Sequence, residues 1–408
     1  MPVDRVIVIG GGAAGFFGAI AAAEANPEKS VLLLEAGREP LQKVRISGGG
    51  RCNVTHACFE PALLVQNYPR GGKALRGALS RFQPRDTVTW FAKRGVKLKT
   101  EADGRMFPVT DDSATIVDCL MQSARDAGVR LQNQAPIVDI KPLNPGFEIQ
   151  LKSGETWQGD RLLLATGSNP QGLRLAQKLG HTIEPPVPSL FTFNIADGDL
   201  RELAGVSVAS AKVKLSVASQ SPLEQVGPLL ITHWGLSGPA ILKLSAWGAR
   251  LLHDSHYRAS LQVNWLAGRS PEQIRQWLAE TRQENVRRAI ATIHPPELSR
   301  RLWRYLIQRA NISEDQRWAE LSKVQTHALV QALSACMYTV QGKGAFKDEF
   351  VTCGGVRLSE VNFKTMESRL CPGLHFAGEI LDIDGVTGGF NFQSAWTTGW
   401  LAGQAMSQ

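Results

Sequence analysis

The 408-residue chain has little of what marks several protein classes. It has no CxxC pair. Its six cysteines (Cys52, Cys58, Cys119, Cys336, Cys353 and Cys371) are scattered, which argues against a disulfide framework and fits reduced thiols in a cytoplasmic protein. No apolar run reaches the roughly 20 residues needed to span a bilayer, and the best candidate, AAGFFGAIAAAEA, is too short. Met1 is followed almost at once by DRVIVIGGG, without the basic and apolar regions of a secretory signal, so a cytoplasmic location and no membrane partner are expected. There is no internal repeat and no low-complexity segment. What remains is ordinary globular composition, with 43% hydrophobic and 20% charged residues, in a chain long enough for two or three domains.

Acidic residues are in deficit. The formal charge is +8 and the pI near 9.3, a balance that suits a polyanionic partner. Much of the excess arginine lies between Arg269 and Arg317, on segments that read as helices. With no nucleic-acid-binding module in the chain, a solvated basic face is expected and a nucleic-acid partner is not. The same field favours an anionic substrate or cofactor.

RVIVIG (residues 5–10) is a β-branched apolar run ending at glycine, as a buried parallel strand does. A helix of small residues and a second strand, VLLLEA (residues 31–36), complete a βαβ unit. DDSATIVDCLMQSARDAGV reads as a helix, VRLQNQ, APIVDIKPL and FEIQLKSGETWQ as strands, and RLLLATG as another buried strand. The prolines of LGHTIEPPVPSL mark an exit from the first domain. Residues 189–266 alternate as strands do, except for a helical GPAILKLSAWGARLL. From Ser270, with Gln273 completing a capping box around Pro271, the chain reads as helical. Strands return at MYTVQG, EFVTCGGV and LHFAGE, and the chain ends on a helix, NFQSAWTTGWLAGQAM.

Gly10, Gly12 and Gly15, with Ala13 and Ala14 between them, match G-x-G-x-x-G between a strand and a helix. Such glycines allow the tight turn, backbone approach to a pyrophosphate, and close helix–strand contact. The helix start then offers free N–H groups to the phosphates. Glu35, before Ala36 and twenty residues after Gly15, is placed to accept hydrogen bonds from an adenosine ribose, which favours FAD or NAD over NADP. Ala165-Thr166-Gly167 ends a strand in the manner of FAD-binding Rossmann proteins. Near the C-terminus, Gly378-Glu379, a loop, and Gly388-Gly389 before Phe390-Asn391 resemble the element whose acid holds the ribityl chain. There the helix start faces the flavin N1–C2=O edge and stabilises the anionic reduced form. FAD is the expected cofactor, with Ile137 counted among the residues that contact it.

GGGAAG, KVRISGGGRCNVTH, THWGLSGPAIL, VTCGGV and GEILDIDGVTGGFNFQSAWTTG together resemble the BaiN/YhiN-type flavoproteins over essentially the whole chain. The resemblance implies an α/β protein with a glutathione-reductase-like FAD-binding Rossmann domain, interrupted by a β-barrel-like domain with a small helical insert. The expected boundaries are 1–188 with 345–408, 189–268 with 336–344, and 269–335. Relatives continue the ATG segment through a longer glycine-rich loop, whereas ATGSNPQGLRLAQKLGH is short, so their substrate specificity is not carried over.

SGGGRCNVTH (residues 47–56) allows three readings. A metal site would use Cys52, His56 and Cys58, but the spacing is non-standard and a fourth ligand is missing, so no metal is expected. A redox dithiol would pair Cys52 with Cys58, six residues on, and the resemblance carries over Cys52 without a resolving partner. The third reading is a cradle. Gly48, Gly49 and Gly50 let backbone approach the flavin, Arg51 and Asn53 add donors, Lys43 is a phosphate- or flavin-facing cation, and Cys52 packs beside the ring. The cradle is the expectation.

Only one dinucleotide fingerprint is present. NAD(P)H, as a donor, would therefore bind transiently across the flavin face. By analogy with bile-acid-reducing members, the expected activity is reduction of an activated C=C bond in an apolar small molecule. A small-amine oxidase releasing peroxide and a flavin-containing RNA-binding or RNA-modifying protein are the alternatives. His233 is the one candidate catalytic side chain, with a structural role favoured. No acid or base is assigned, nor is an oligomeric state.

Overall fold

The protein is described by a computed structural model covering residues 5–217, 220–344 and 351–408. It is a mixed α/β protein that divides into two units, residues 1–186 with 351–408 and residues 187–350.

The first unit is Rossmann-type. Five strands run parallel from one edge of a seven-stranded sheet inward, in the order Arg130–Gln132, Ser30–Leu34, Arg5–Ile9, Arg161–Leu164 and Leu374–Phe376. Val8 stands between Leu33 and Leu163 in register, and all three are fully buried. Burial on both faces explains why these strands read as unbroken apolar runs. The helix Ala13–Ala25 has no polar face, since it is enclosed from Ala14 through Ala23. It packs against the C-terminal helix Phe390–Met406 through glycines. An added Cβ on Gly399 would lie 3.2 Å from the Gly18 nitrogen, and one on Gly403 would run into the Gly18 carbonyl oxygen. Small residues thus let the two backbones approach.

Two antiparallel three-stranded sheets flank this core. Thr55–His56, Arg105–Pro108 and Leu98–Thr100 form one, and Ile137–Pro142, Phe147–Leu151 and Thr156–Gly159 the other. The proline-rich segment is not a bare exit from the domain. It forms an extended strand, Ile183–Ser189, paired with Val351–Val356 in a two-stranded sheet. Such a sheet leaves each strand an unpaired edge, where the N–H that proline lacks is not needed. Residues 349–350 of the expected strand EFVTCGGV, and residues 345–348 before it, lie outside the described residues.

The second unit contains a closed six-stranded barrel, in the order Phe193–Ile195, Gly235–Ser237, Leu223–Thr232, Ser207–Ser216, Ala259–Asn264 and Cys336–Lys343. Along Ser207–Ser216 the inward residues Ala211, Val213 and Leu215 alternate with outward polar ones, which is the period-2 signal in the sequence. Between the last two barrel strands lie the helices Pro271–Glu284, Arg300–Arg309 and Lys323–Ser334. Ser270 and Gln273 cap the first of these reciprocally, and Trp303 and Trp318 are buried in the core. No helix among the described residues is long and apolar enough to cross a membrane.

Candidate flavin-binding site

Every residue expected to hold a flavin lies in the Rossmann-type unit. Gly10 turns the chain after the first strand at φ +110°, where its N–H donates to the Leu34 carbonyl at 2.8 Å. An added Cβ on Gly10 would strike the Ala165 carbonyl, and one on Gly15 would strike that of Gly10. Beside Gly12 the space is open, with nothing within 4 Å of where a Cβ would stand. No side chain caps the helix that starts at Ala13, so the N–H groups of Ala13 and Ala14 are left for a ligand. The turn is closed where helix meets strand and open where a pyrophosphate would approach.

Glu35, half-buried just beyond the second strand, accepts from the Gly11 N–H at 2.7 Å and the Gly37 N–H at 2.6 Å. Two backbone donors hold its carboxylate against the glycine turn, and exposed Ala36 follows. Ile137 is buried at the start of its strand, and its carbonyl accepts from Gln171 Nε2 at 3.3 Å. Ala165 donates to the Ile9 carbonyl, and the Thr166 Oγ1 is buried without a hydrogen-bond partner among the described residues. At Gly167 the backbone has φ +62°, and an added Cβ would lie 3.7 Å from Glu379 Oε2. The orphaned hydroxyl, the open ground at Gly12 and the uncapped helix are what a dinucleotide cofactor fits.

The C-terminal element closes the same site. Gly378, at φ +75°, lies against Ala14, and its N–H donates to Thr398 Oγ1 at 2.9 Å. Glu379 accepts from the Thr352 N–H at 3.0 Å and from Lys43 Nζ at 2.6 Å. Lys43 thus meets the acid expected to hold the ribityl chain. Gly388 and Gly389 have φ of +133° and +90°, and Gly389 is the N-cap of the C-terminal helix. A Cβ there would sit 2.6 Å from the Thr55 carbonyl carbon, so only glycine fits. Asn391 folds back on Gly385, accepting from its N–H at 2.8 Å and donating to its carbonyl at 2.9 Å.

Residues 47–53 meet this loop through Asn53. With its amide oriented to satisfy both ends, the oxygen accepts from the Gly389 N–H at 2.9 Å and the nitrogen donates to the Thr55 carbonyl at 3.1 Å. Before it the backbone leaves the helical region at Ser47 and passes through left-handed conformations at Gly48, Gly49 and Gly50. Next to Gly49 and Gly50 an added Cβ would meet nothing within 4 Å.

Arg51 and Cys52 of this stretch have their own surroundings within the protein. Arg51, expected as a donor toward the cofactor, here spends its guanidinium on groups of the protein itself. Its guanidinium bonds Glu101 at 2.7 Å, lies 3.5 Å from Asp111 and covers the Phe107 ring at 4.0 Å. The hydrogen bond to Glu101 holds its pKa above the ordinary arginine value. Two carboxylates thus engage its donors, as a guanidinium fork favours. Cys52 is fully buried, and burial pushes its thiol up to about 12, with Ser47 opposing weakly. Cys58 is also a free thiol. A thiol that keeps its proton at neutral pH is a poor nucleophile, so Cys52 packs rather than reacts.

Several residues around the loop carry no motif. Residues 67–71 form a strap over it. The Asn67 carbonyl accepts from the Val386 N–H, Tyr68 Oη donates to the Phe390 carbonyl, and Arg70 grips the fully buried Asp384 through two guanidinium nitrogens. His56 stacks on Phe390 with ring centroids 4.7 Å apart, and its Nε2 meets the Asp103 carbonyl at 3.1 Å. Only the acid beside Gly385 in DIDGVTGG hinted at this arrangement. Among the described residues no group of three His, Cys, Asp or Glu side chains is placed to hold a metal. His233 is exposed on the barrel turn between Leu223–Thr232 and Gly235–Ser237.

The family model described as the HI0933-like protein Rossmann domain matches residues 4–405. The chain belongs to this family. It is a flavin-dependent oxidoreductase. It is 30% identical to the 3-dehydro-bile acid delta(4,6)-reductase of Clostridium scindens, over 100% of both chains. It is 31% identical to the ribosomal RNA dihydrouridine synthase of Escherichia coli, over 98% of this chain and 96% of that one. Among solved structures, the fold resembles a 3-ketosteroid-delta4-(5alpha)-dehydrogenase from Rhodococcus jostii RHA1. That likeness has a TM-score of 0.53 at 14% identity, covering 100% of this chain and 98% of the other.

Proposed function

We propose that the protein is an FAD-dependent reductase that saturates a carbon–carbon double bond conjugated to a carbonyl, with NAD(P)H as donor. The observation that carries this reading is the end-to-end relation to two proteins whose names describe one chemistry. A Δ4,6 double-bond system beside a 3-keto group and the C5=C6 bond of uracil are both alkenes polarised by a carbonyl. Each accepts a hydride at the carbon remote from that carbonyl and a proton at the nearer one.

FAD, when bound, supplies the two-electron hydride chemistry. The chain's own groups support binding and orientation. Gly12, Ala13 and Ala14 offer backbone to a pyrophosphate, and Glu35 offers its carboxylate to a ribose. Lys43 and Glu379 form a polar pair beside Gly167 that a ribityl chain can engage. The N-terminus of Phe390–Met406 adds the positive end of a 17-residue helix, which favours negative charge on a reduced ring. The buried, protonated Cys52 argues against relay of electrons through a dithiol, so substrate meets the flavin directly. The test is the visible spectrum of the purified protein, followed by anaerobic mixing with NADH and NADPH in turn. Bleaching of a bound-flavin spectrum by one of them is expected. A colourless protein that takes up no FAD would overturn the reading.

A further inference from the structure

The helical insert holds a feature that flavin chemistry does not use. Between residues 269 and 317 there are ten arginines and six acids. Some of these arginines are neutralised: Arg269 by Glu297, Arg275 by Glu272, Arg304 by Glu314 and Arg309 by Asp197. Arg282, Arg287 and Arg288 pair with no acid among the described residues. Among the described residues Arg282 donates only to the Ala319 carbonyl, at 2.8 Å. It lines a groove of about 530 Å³ between the helix Pro271–Glu284 and residues 319–326. Leu278 and Leu321 are buried at its floor, and Val286, at its edge, is 48% exposed. Backbone bonds fix the end of the groove, with Ala319 N–H donating to the Val286 carbonyl and Trp318 N–H to that of Arg288. Arg287 and Arg288, both exposed, directly follow Val286 in this anchored segment. No carboxylate lines the groove.

An apolar floor beside unpaired guanidinium groups matches a ligand that alternates anionic groups with flat apolar ones. Guanidinium binds phosphate through its fork of donors and stacks on planar rings. An acidic peptide offers the charge without the rings. We propose that this groove is a binding surface for single-stranded RNA, held by its phosphates on Arg282, Arg287 and Arg288 with bases over Leu278 and Val286. The choice of RNA rests on the reductase reading, because a uracil in such a strand carries the conjugated double bond.

The probe is a short fluorescein-labelled oligouridylate, titrated by anisotropy against the flavin-loaded full chain over a range of salt concentrations. Two variants are compared: Arg282→Gln/Arg287→Gln/Arg288→Gln, and a charge-matched Lys141→Gln/Lys152→Gln/Lys178→Gln in the other unit. Bound FAD, read from the visible spectrum, reports that each has folded. The groove variant is expected to bind at least about tenfold more weakly near physiological salt and to flatten the log K against log[salt] slope by about 2. The lysine variant should behave like the parent. Equal weakening of both variants, no binding by the parent, or displacement of the oligouridylate by polyglutamate at equal charge would each overturn the proposal. Anaerobic re-oxidation of the reduced flavin by a cyclic enone reports on the reductase reading separately, so either can fail alone.

Discussion

Replacing Glu35 by alanine removes one carboxylate with two duties. In the protein alone it accepts the N–H groups of Gly11 and Gly37 at 2.7 and 2.6 Å, which fixes the glycine turn. A hydrogen bond to a charged group contributes about 1.5–3 kcal/mol. Glu35 is half-exposed, so water reaches the two freed donors and the stability loss should stay near the lower end of that range. The cofactor term is separate. Each ribose hydroxyl that donates to this carboxylate contributes about 1.5–3 kcal/mol, which is about one to two decades in Kd. The assay is calorimetric titration of flavin-stripped protein with FAD, beside a thermal melt without cofactor. A small drop in Tm with a Kd raised at least about tenfold is expected. Glu35→Gln should fall between alanine and the parent, because an amide keeps one acceptor but turns its NH2 toward the second N–H. If Glu35→Ala binds FAD as tightly as the parent, the ribose does not lie at this carboxylate and the cradle is misplaced.

Other perturbations test the packing and the charges. Iodoacetamide at neutral pH should label Cys52 only after denaturation, because the buried thiol titrates near 12, and peptide mass spectrometry reads the outcome. Cys52→Ala should retain flavin reduction by the donor, and its loss would restore the thiol to the chemistry. Arg70→Met takes the bidentate partner from a fully buried Asp384, so about 3–5 kcal/mol of stability should be lost, and Arg70→Met/Asp384→Asn should recover part of it in urea unfolding. Gly403→Val puts a branched side chain where Gly18 approaches, costing about 1–3 kcal/mol, visible as a lowered Tm. Burial drives the pKa of His375 down to about 4, below its unfolded value of 6.5. The unfolded chain therefore binds more protons between those values, and stability should fall as pH drops from about 6.5 toward 4. His375→Gln should flatten that dependence in unfolding midpoints measured across the range.

The parts of the site legible in the sequence are those where backbone must come close. Gly10 and Gly15 cannot carry a Cβ, and the period of the strands around them is set by burial on both faces. Glu35 was legible because its distance from the glycines follows from one helix and one strand. Arg51 was not, because its partners lie fifty and sixty residues away, in the loops that follow Leu98–Thr100 and Arg105–Pro108. The grip of Arg70 on Asp384 spans 314 residues, and nothing local to either end marks it. Gly48, Gly49 and Gly50 signalled close approach without revealing that they follow a helical turn from Gln42. The three prolines of residues 185–188 suggested a linker because proline signals a break. Only the two-stranded pairing shows why a strand tolerates them there.

The central claim is hydride delivery to a carbonyl-conjugated double bond. Its most direct measurement is anaerobic mixing of the fully reduced, flavin-loaded protein with a 4-en-3-one steroid and, separately, with uridine-containing RNA. The account predicts that one of them restores the oxidised flavin spectrum without oxygen, with the product two hydrogens heavier by mass spectrometry. A reduced flavin that ignores both and is re-oxidised only by oxygen, releasing peroxide, would contradict it and make the protein an oxidase.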